Sequence, residues 1–241
     1  MIRLIGRQLV LLVRDRQLMF WNVGFFLILF MVFVGVISGG DRSVQVLLTA
    51  GIVTMSLMAN ALFSIAVGLT ASRERGVFRR YSLLPVATGI PVIATVISRA
   101  LIVFAASMLM VVVARVAFGV PWSGGVLSWM AILALGTTTF AAIGFAIAAS
   151  ARAPHVANTM ANLVFIPMMA LGGIALPVAM MPAGWAQVYW VLPVAAIAEG
   201  LSGAFVGGET VADNSGRLGY LAAWTVMAGA WGAYRWSRRG P

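Results

Sequence analysis

Apolar residues along this chain come in blocks of about twenty, separated by short stretches that hold most of its charge. A bilayer core of about 30 Å needs about 20 apolar residues per helix. Six segments meet that length: Leu18–Ser38, Val44–Ala71, Ile90–Phe118, Val126–Ser150, Val156–Leu176 and Leu218–Tyr234. The pattern predicts an all-α integral membrane protein, with residues 1–241 forming one transmembrane domain of six helices. Ahead of the first block, residues 1–17 read "MIRLIGRQLVLLVRDRQ", with Arg3, Arg7 and Arg14 on one helical face and Leu9, Leu12 and Val13 largely elsewhere. That spacing predicts an amphipathic helix lying in the headgroup plane; the alternative is an ordinary basic flank of the first span. The apolar run is about 20 residues long, too long for a signal peptide, and no small-x-small cleavage site follows, so it reads as a retained first span.

Composition agrees and removes several classes of chemistry. The chain is 62% hydrophobic and 9% charged, far from the roughly one-quarter charged residues of a soluble domain. It has no Cys and one His, His155, and its six acids are scattered, which excludes disulfides, thiol nucleophiles and His-cluster metal sites. All of its basic residues are Arg, and no Gly-x-x-x-x-Gly-Lys run occurs, so no phosphate-binding loop is present.

The net charge of +10 is explained by the Arg excess that sets membrane orientation rather than by nucleic-acid binding. Arg3, Arg7, Arg14 and Arg16 precede the first span; Arg73, Arg75, Arg79 and Arg80 follow the second; Arg152 follows the fourth; Arg235, Arg238 and Arg239 follow the sixth. The other side holds only Arg42 and Arg217, beside Asp41, Glu199, Glu209 and Asp213. Both termini are therefore expected on the cytoplasmic face of an inner or plasma membrane.

Two regions ask for more than a span or a turn. The stretch 156–198 is free of charge, too long for one span and broken by Pro167, Gly172, Gly173, Pro177, Pro182 and Pro193. The parse adopted is one span to about Leu176, then short helices starting near Pro182 and Pro193 that dip back into the outer leaflet, the re-entrant segment being 177–217. Trp185, Tyr189 and Trp190 suit the interfacial belt. A seventh span would send the C-terminal Arg residues outside. The second region is the cytoplasmic segment 72–89, "SRERGVFRRYSLLPVATG". Read as a helix it sets Arg75 over Arg79 and Val77 over Tyr81. These arginines are either topogenic only, or the rim of a docking element with Phe78 and Tyr81 as anchors.

The order of these features resembles the permease subunit of ATP-binding-cassette (ABC) exporters of the type-2 class. The resemblance rests on the basic N-terminal helix, the coupling segment "RERGVFRRYSLLPV", and "NTMANLVFIPMMALGGIALPVAMMPAGWAQVYWVLPVAAIAEGL", in which Asn158, Pro167, Gly172, Gly173, Pro177, Pro182, Trp185 and Pro193 stand in the family's order. Many members carry Ser-Gly where this chain has Gly172-Gly173, and Arg where it has Glu199. The resemblance implies two six-span halves, of the same or different chains, working with two separate ABC ATPase subunits that hold ATP and Mg. It implies a coupling helix at Arg73, Glu74, Arg75, Gly76, Phe78, Arg79, Arg80 and Tyr81, and export of a hydrophobic or amphipathic substrate such as a drug, a lipid or a lipid-linked glycan. The chain itself would have no cofactor and no catalysis.

Polar residues at membrane depth complete the candidates. Arg99 lies about 13 Å into the third span; it either meets an anionic substrate or headgroup or snorkels to the inner headgroups. Arg115 is expected to snorkel outward. Asn60, Asn158 and Asn162 are candidates for the pathway or for hydrogen bonds between helices, and Ala228, Gly229, Gly232 and Ala233 for close helix packing. A self-contained secondary carrier is disfavoured by the lack of an acid within any span and of a repeat. An intramembrane enzyme is disfavoured by the placing of His155 and by the lack of a Gly-x-Ser-x-Gly elbow.

Overall fold

The computed structural model describes residues 2–78, 89–123, 125–172 and 185–239, and all regular elements among them are helices. They are α1 (Ile2–Arg14), α2 (Phe20–Ile37), entered through a single helical turn at Arg16–Met19, α3 (Arg42–Glu74), α4 (Gly89–Phe118), α5 (Val126–Ser150), α6 (Pro154–Leu171), α7 (Trp185–Val191), α8 (Pro193–Gly207) and α9 (Ser215–Arg239). By length and composition four of these, α2 to α5, are apolar enough to cross a membrane. The helices expected as the fifth and sixth spans, α6 and α9, form but are less apolar: α6 carries Asn158 and Asn162, and α9 carries Arg217, Arg235 and Arg238.

Local chemistry sets the ends. Asp41 caps α3, its carboxylate accepting from the Ser43 N–H at 2.8 Å and from the Ser43 hydroxyl at 2.6 Å. Those bonds hold the Asp41 carboxyl below the usual carboxylate range. Pro154 and Pro193 open α6 and α8, where a missing N–H costs nothing. At the other end α6 stops at Leu171, five residues short of the expected Leu176, because Gly172 caps it. A side chain at Gly172 would collide with Val194 and with the Met168 carbonyl, so the glycine lets α8 close over the end of α6. Arg115, exposed near the end of α4, reaches past that end, donating to the Val120 carbonyl at 3.2 Å and lying over Trp122, which closes the turn into α5.

Two stretches of α2, Phe20–Gly24 and Phe33–Ile37, are π-helical. Its buried residues are Asn22, Phe26, Phe30 and Val34, with Ser38 beyond its end. A stripe spaced by four would drift around a pure α-helix of 3.6 residues per turn; π turns of about 4.4 residues bring it back to one side.

At the centre α3 packs against α4, α5, α6 and α8, and α5 packs against both α3 and α9. These contacts are close because small residues allow it. A Cβ at Gly144 of α5 would press on the Ala61 and Leu62 carbonyls of α3, and one at Gly232 of α9 on Phe145 and Ala146 of α5. Gly229, expected to pack likewise, has open space beside it. Thr139 of α5 adds a cross-helix link, donating to the Leu221 carbonyl at 3.1 Å and lying 2.9 Å from the Thr225 hydroxyl.

Gly144→Val therefore forces α3 and α5 apart. Overpacking of this kind costs about 1–3 kcal/mol, so the thermal midpoint of the purified protein should fall clearly. An unchanged midpoint would mean that the two helices do not approach at Gly144.

Candidate functional site

A groove of about 710 Å³ runs between α2, α3 and α6, reaching Arg99 of α4. Its walls are mostly apolar, with Trp21, Phe25, Phe63 and Phe165 among them, and Phe63 meets Phe165 edge-on at 5.6 Å. Polar groups follow one line down α3. Asn60, one turn from Ser64, donates to the Asn22 carbonyl of α2 at 2.8 Å and to the Ser56 hydroxyl at 3.3 Å. Ser64 accepts from Arg99 on both its carbonyl, at 2.7 Å, and its hydroxyl, at 3.0 Å. Gly68, one turn further, is overlaid by the Arg99 guanidinium, which any side chain there would displace.

Arg99 thus reaches sideways onto α3 instead of back to the headgroups. Its Nε is buried without a hydrogen-bond partner among the described residues. Asn158 is exposed on the same groove, whereas Asn162 donates to the Asn158 carbonyl of its own helix at 2.9 Å and links no neighbour among the described residues. The seat formed by Ser64 and Gly68 was not among the expected sites; its signal is two small residues four apart on the helix beside a buried Arg.

At the end of α3 that carries Glu74 the expected single helix over the coupling segment does not form. Arg73 and Glu74 are the last turn of α3, Arg75 caps it and donates to the Ala71 carbonyl, and Gly76 turns to φ +68°, which no α-helix contains. Glu74 and Arg75 are exposed. Phe78, expected as an exposed anchor, is buried instead against Ile65, Leu69, Val92 and Ala148, with Trp236 edge-on at 5.7 Å. The reason is that α3, α5 and α9 leave an apolar gap there and the ring fills it. Arg73 lies over the same Trp236 at 5.6 Å and donates to the Ala151 carbonyl at the end of α5. Arg79, Arg80 and Tyr81 lie outside the described residues.

The opposite end holds a charged network. Arg217 of α9 donates to Glu209 at 2.5 Å and to the Asn214 carbonyl oxygen of the side chain at 2.8 Å, and stands 3.9 Å from Glu199 of α8. Tyr189 of α7 donates to Glu199 at 2.9 Å. Burial first, then that bond, pushes the phenol above its ordinary range, so it stays a donor. Asp213 accepts from the Thr210 N–H and hydroxyl, both at 2.8 Å, and its carboxyl lies below the usual range for that reason. Gly203 leaves the room that Glu209 occupies. Two short helices, α7 and α8, do follow α6, and the second starts at Pro193. Gly173, Pro177, Pro182 and the side chain of Trp185 lie outside the described residues.

The family model for the ABC-2 type transporter matches residues 1–206 of this chain, from α1 into the last turn of α8. No curated protein matches it in sequence.

Arg217 is the one cation holding Glu199 and Glu209 together among the described residues of this network. Arg217→Ala leaves two carboxylates facing one another, and hydrogen exchange in the segment 203–214 should rise severalfold while exchange in α5 stays unchanged. Equal exchange in both proteins would show that the network does not hold that segment.

Proposed function

The chain belongs to the ABC-2 type transporter family as a membrane permease subunit, and on that premise we propose that it is half of the pathway of an ATP-driven exporter for amphipathic substrates. The observation that carries this is the groove between α2, α3 and α6, apolar along its walls and polar along Asn60, Ser64 and Arg99. It offers an apolar body a wall of rings and an anionic or strongly polar head the Arg99 end, where Arg75 also lines the groove. A second six-span half, a further copy or a related chain, would cover the open side. The six spans are α2 to α6 and α9, with α1 as the interfacial helix and α7 and α8 re-entrant at the outer face.

ATP and Mg belong to separate ATPase subunits, which dock at the Glu74–Gly76 end of α3 and the segment that follows. ATP-driven closure of those subunits would pull on that segment. Because Phe78 and Arg73 both engage Trp236, the pull reaches α9 and α5 as well as α3, and the two halves change from an inward-open to an outward-open state. ATP acts on transport only through the free-energy difference it sets between those states.

Glu74 is exposed and holds no packing together, so Glu74→Ala should leave the permease folded yet weaken capture of its ATPase by more than about tenfold, as loss of one charged interface partner does; undiminished co-purification would sink the docking role. Phe78→Ala, by contrast, removes a buried ring and should cost about 3–5 kcal/mol of stability. Orientation is tested on the natural Cys-free background. Ser237→Cys should resist a membrane-impermeant maleimide applied to intact cells while Ala212→Cys reacts, and the reverse pattern would invert the proposed topology.

A further inference from the structure

A second groove, of about 690 Å³, lies between α5, α6 and α9 on a face that the pathway does not use. Ile143 and Ile147 floor it, Met160 forms one bank, and Trp224, Trp231 and Tyr234 form the other. From Trp224 to Tyr234 it extends about 15 Å at 1.5 Å per residue, half the hydrocarbon thickness of about 30 Å, and so the depth of one leaflet.

Its mouth is cationic. Two of the lining rings each carry a guanidinium: Arg235 lies over Trp231 at 5.7 Å and Arg238 over Tyr234 at 4.6 Å. Stacking fixes both cations beside the groove rather than leaving them to roam in water. The Arg235 Nε is buried with no hydrogen-bond partner among the described residues. Arg152 is exposed two residues beyond Ser150, which also lines the groove. None of α5, α6 and α9 contains an acid, so those helices offer these cations no counter-charge.

We propose that this groove holds one anionic phospholipid of the leaflet on the Arg-rich side, its acyl chain along Ile143, Ile147 and Trp224 and its phosphate on Arg235 and Arg238. An apolar slot one leaflet deep that ends in fixed, acid-free cations matches that shape and charge. A zwitterionic lipid would fill the slot and bring a phosphate too, but its quaternary ammonium would be set beside the same two cations, so a head of net negative charge is held more tightly. The orientation proposed above serves only to name this leaflet as the cytoplasmic one.

The test reads lipid contact at a single ring. The permease, with its co-purifying partners, is reconstituted in phosphatidylcholine bilayers containing a minor fraction of chain-brominated phosphatidylglycerol or, in parallel, chain-brominated phosphatidylcholine. Subtracting the Trp231→Phe protein isolates quenching of Trp231 from that of the other tryptophans. Brominated phosphatidylglycerol should quench Trp231 about fivefold more effectively, the factor that one Arg near an anionic surface contributes. The pair Arg235→Gln and Arg238→Gln should bring the two lipids to equality. The pair Arg7→Gln and Arg14→Gln, which removes the same charge from α1, should not.

Ala230→Phe, at an exposed position lining the slot, should lower quenching by both lipids without disturbing the fold. Equal quenching by the two lipids in the natural protein overturns the proposal, as does a preference lost equally with the α1 pair, which would mean diffuse surface attraction. Quenching is read without transport and in either leaflet. An inverted result in the Ser237→Cys labelling therefore changes the leaflet named and leaves the site itself standing.

Discussion

The close approach of α5 to its two neighbours sets the rest of the structure. Lipid tails are as apolar as the side chains they would replace, so helices in a bilayer are held by contact and by hydrogen bonds across the interface rather than by escape from water. Gly144 and Gly232 give that contact, one against α3 and the other from α9, and Thr139 adds the polar link to Leu221 and Thr225. Three helices thus behave as one block. The clasp of Arg73, Phe78 and Trp236 sits at one end of that block and the Arg217 network at the other. Closely packed helices run between the two ends.

Hydroxyl groups are plentiful in these helices, and nearly all look after themselves. Thr49, Thr54, Thr70, Ser72, Ser98 and Thr137 each donate to the carbonyl four residues earlier in their own helix. Other side chains reach a neighbouring helix. Asn60 reaches α2, Arg99 reaches α3, and Gln8 of α1 donates to Thr95 of α4 at 3.1 Å. Asn60 and Arg99 border the groove, whereas Thr139 joins α5 to α9 and Tyr189 joins α7 to α8 away from it.

Much of this was legible in the sequence. The expected span Val126–Ser150 coincides with α5, Ile90–Phe118 with all but the first residue of α4, and the second helix of the outer segment begins at Pro193 as its ring dictates. Apolar block length and proline chemistry are local, so they survive folding unchanged. What escaped was directional. Arg99 was expected to meet either a ligand or the headgroups, yet its seat is Ser64 and Gly68, thirty-odd positions earlier; spacing gives a residue's face but not what stands opposite. Phe78 looked like an anchor because it sits among charges, and only the gap left by three converging helices turns it inward. Gly76 broke the predicted helix through one backbone angle that composition does not reveal.

The π turns of α2 bear on how this helix tolerates change in its length. A π turn is an α-turn that has taken in one extra residue. Deleting a residue within Phe20–Gly24 or Phe33–Ile37 can therefore be absorbed by reversion to ordinary α geometry, leaving the side chains beyond it where they were. The same deletion in α3 would rotate everything downstream by about 100°, one residue's share of a 3.6-residue turn, and would carry Asn60, Ser64 and Gly68 off the groove together. Of the two helices that line the groove, one can absorb such a change in length and the other cannot.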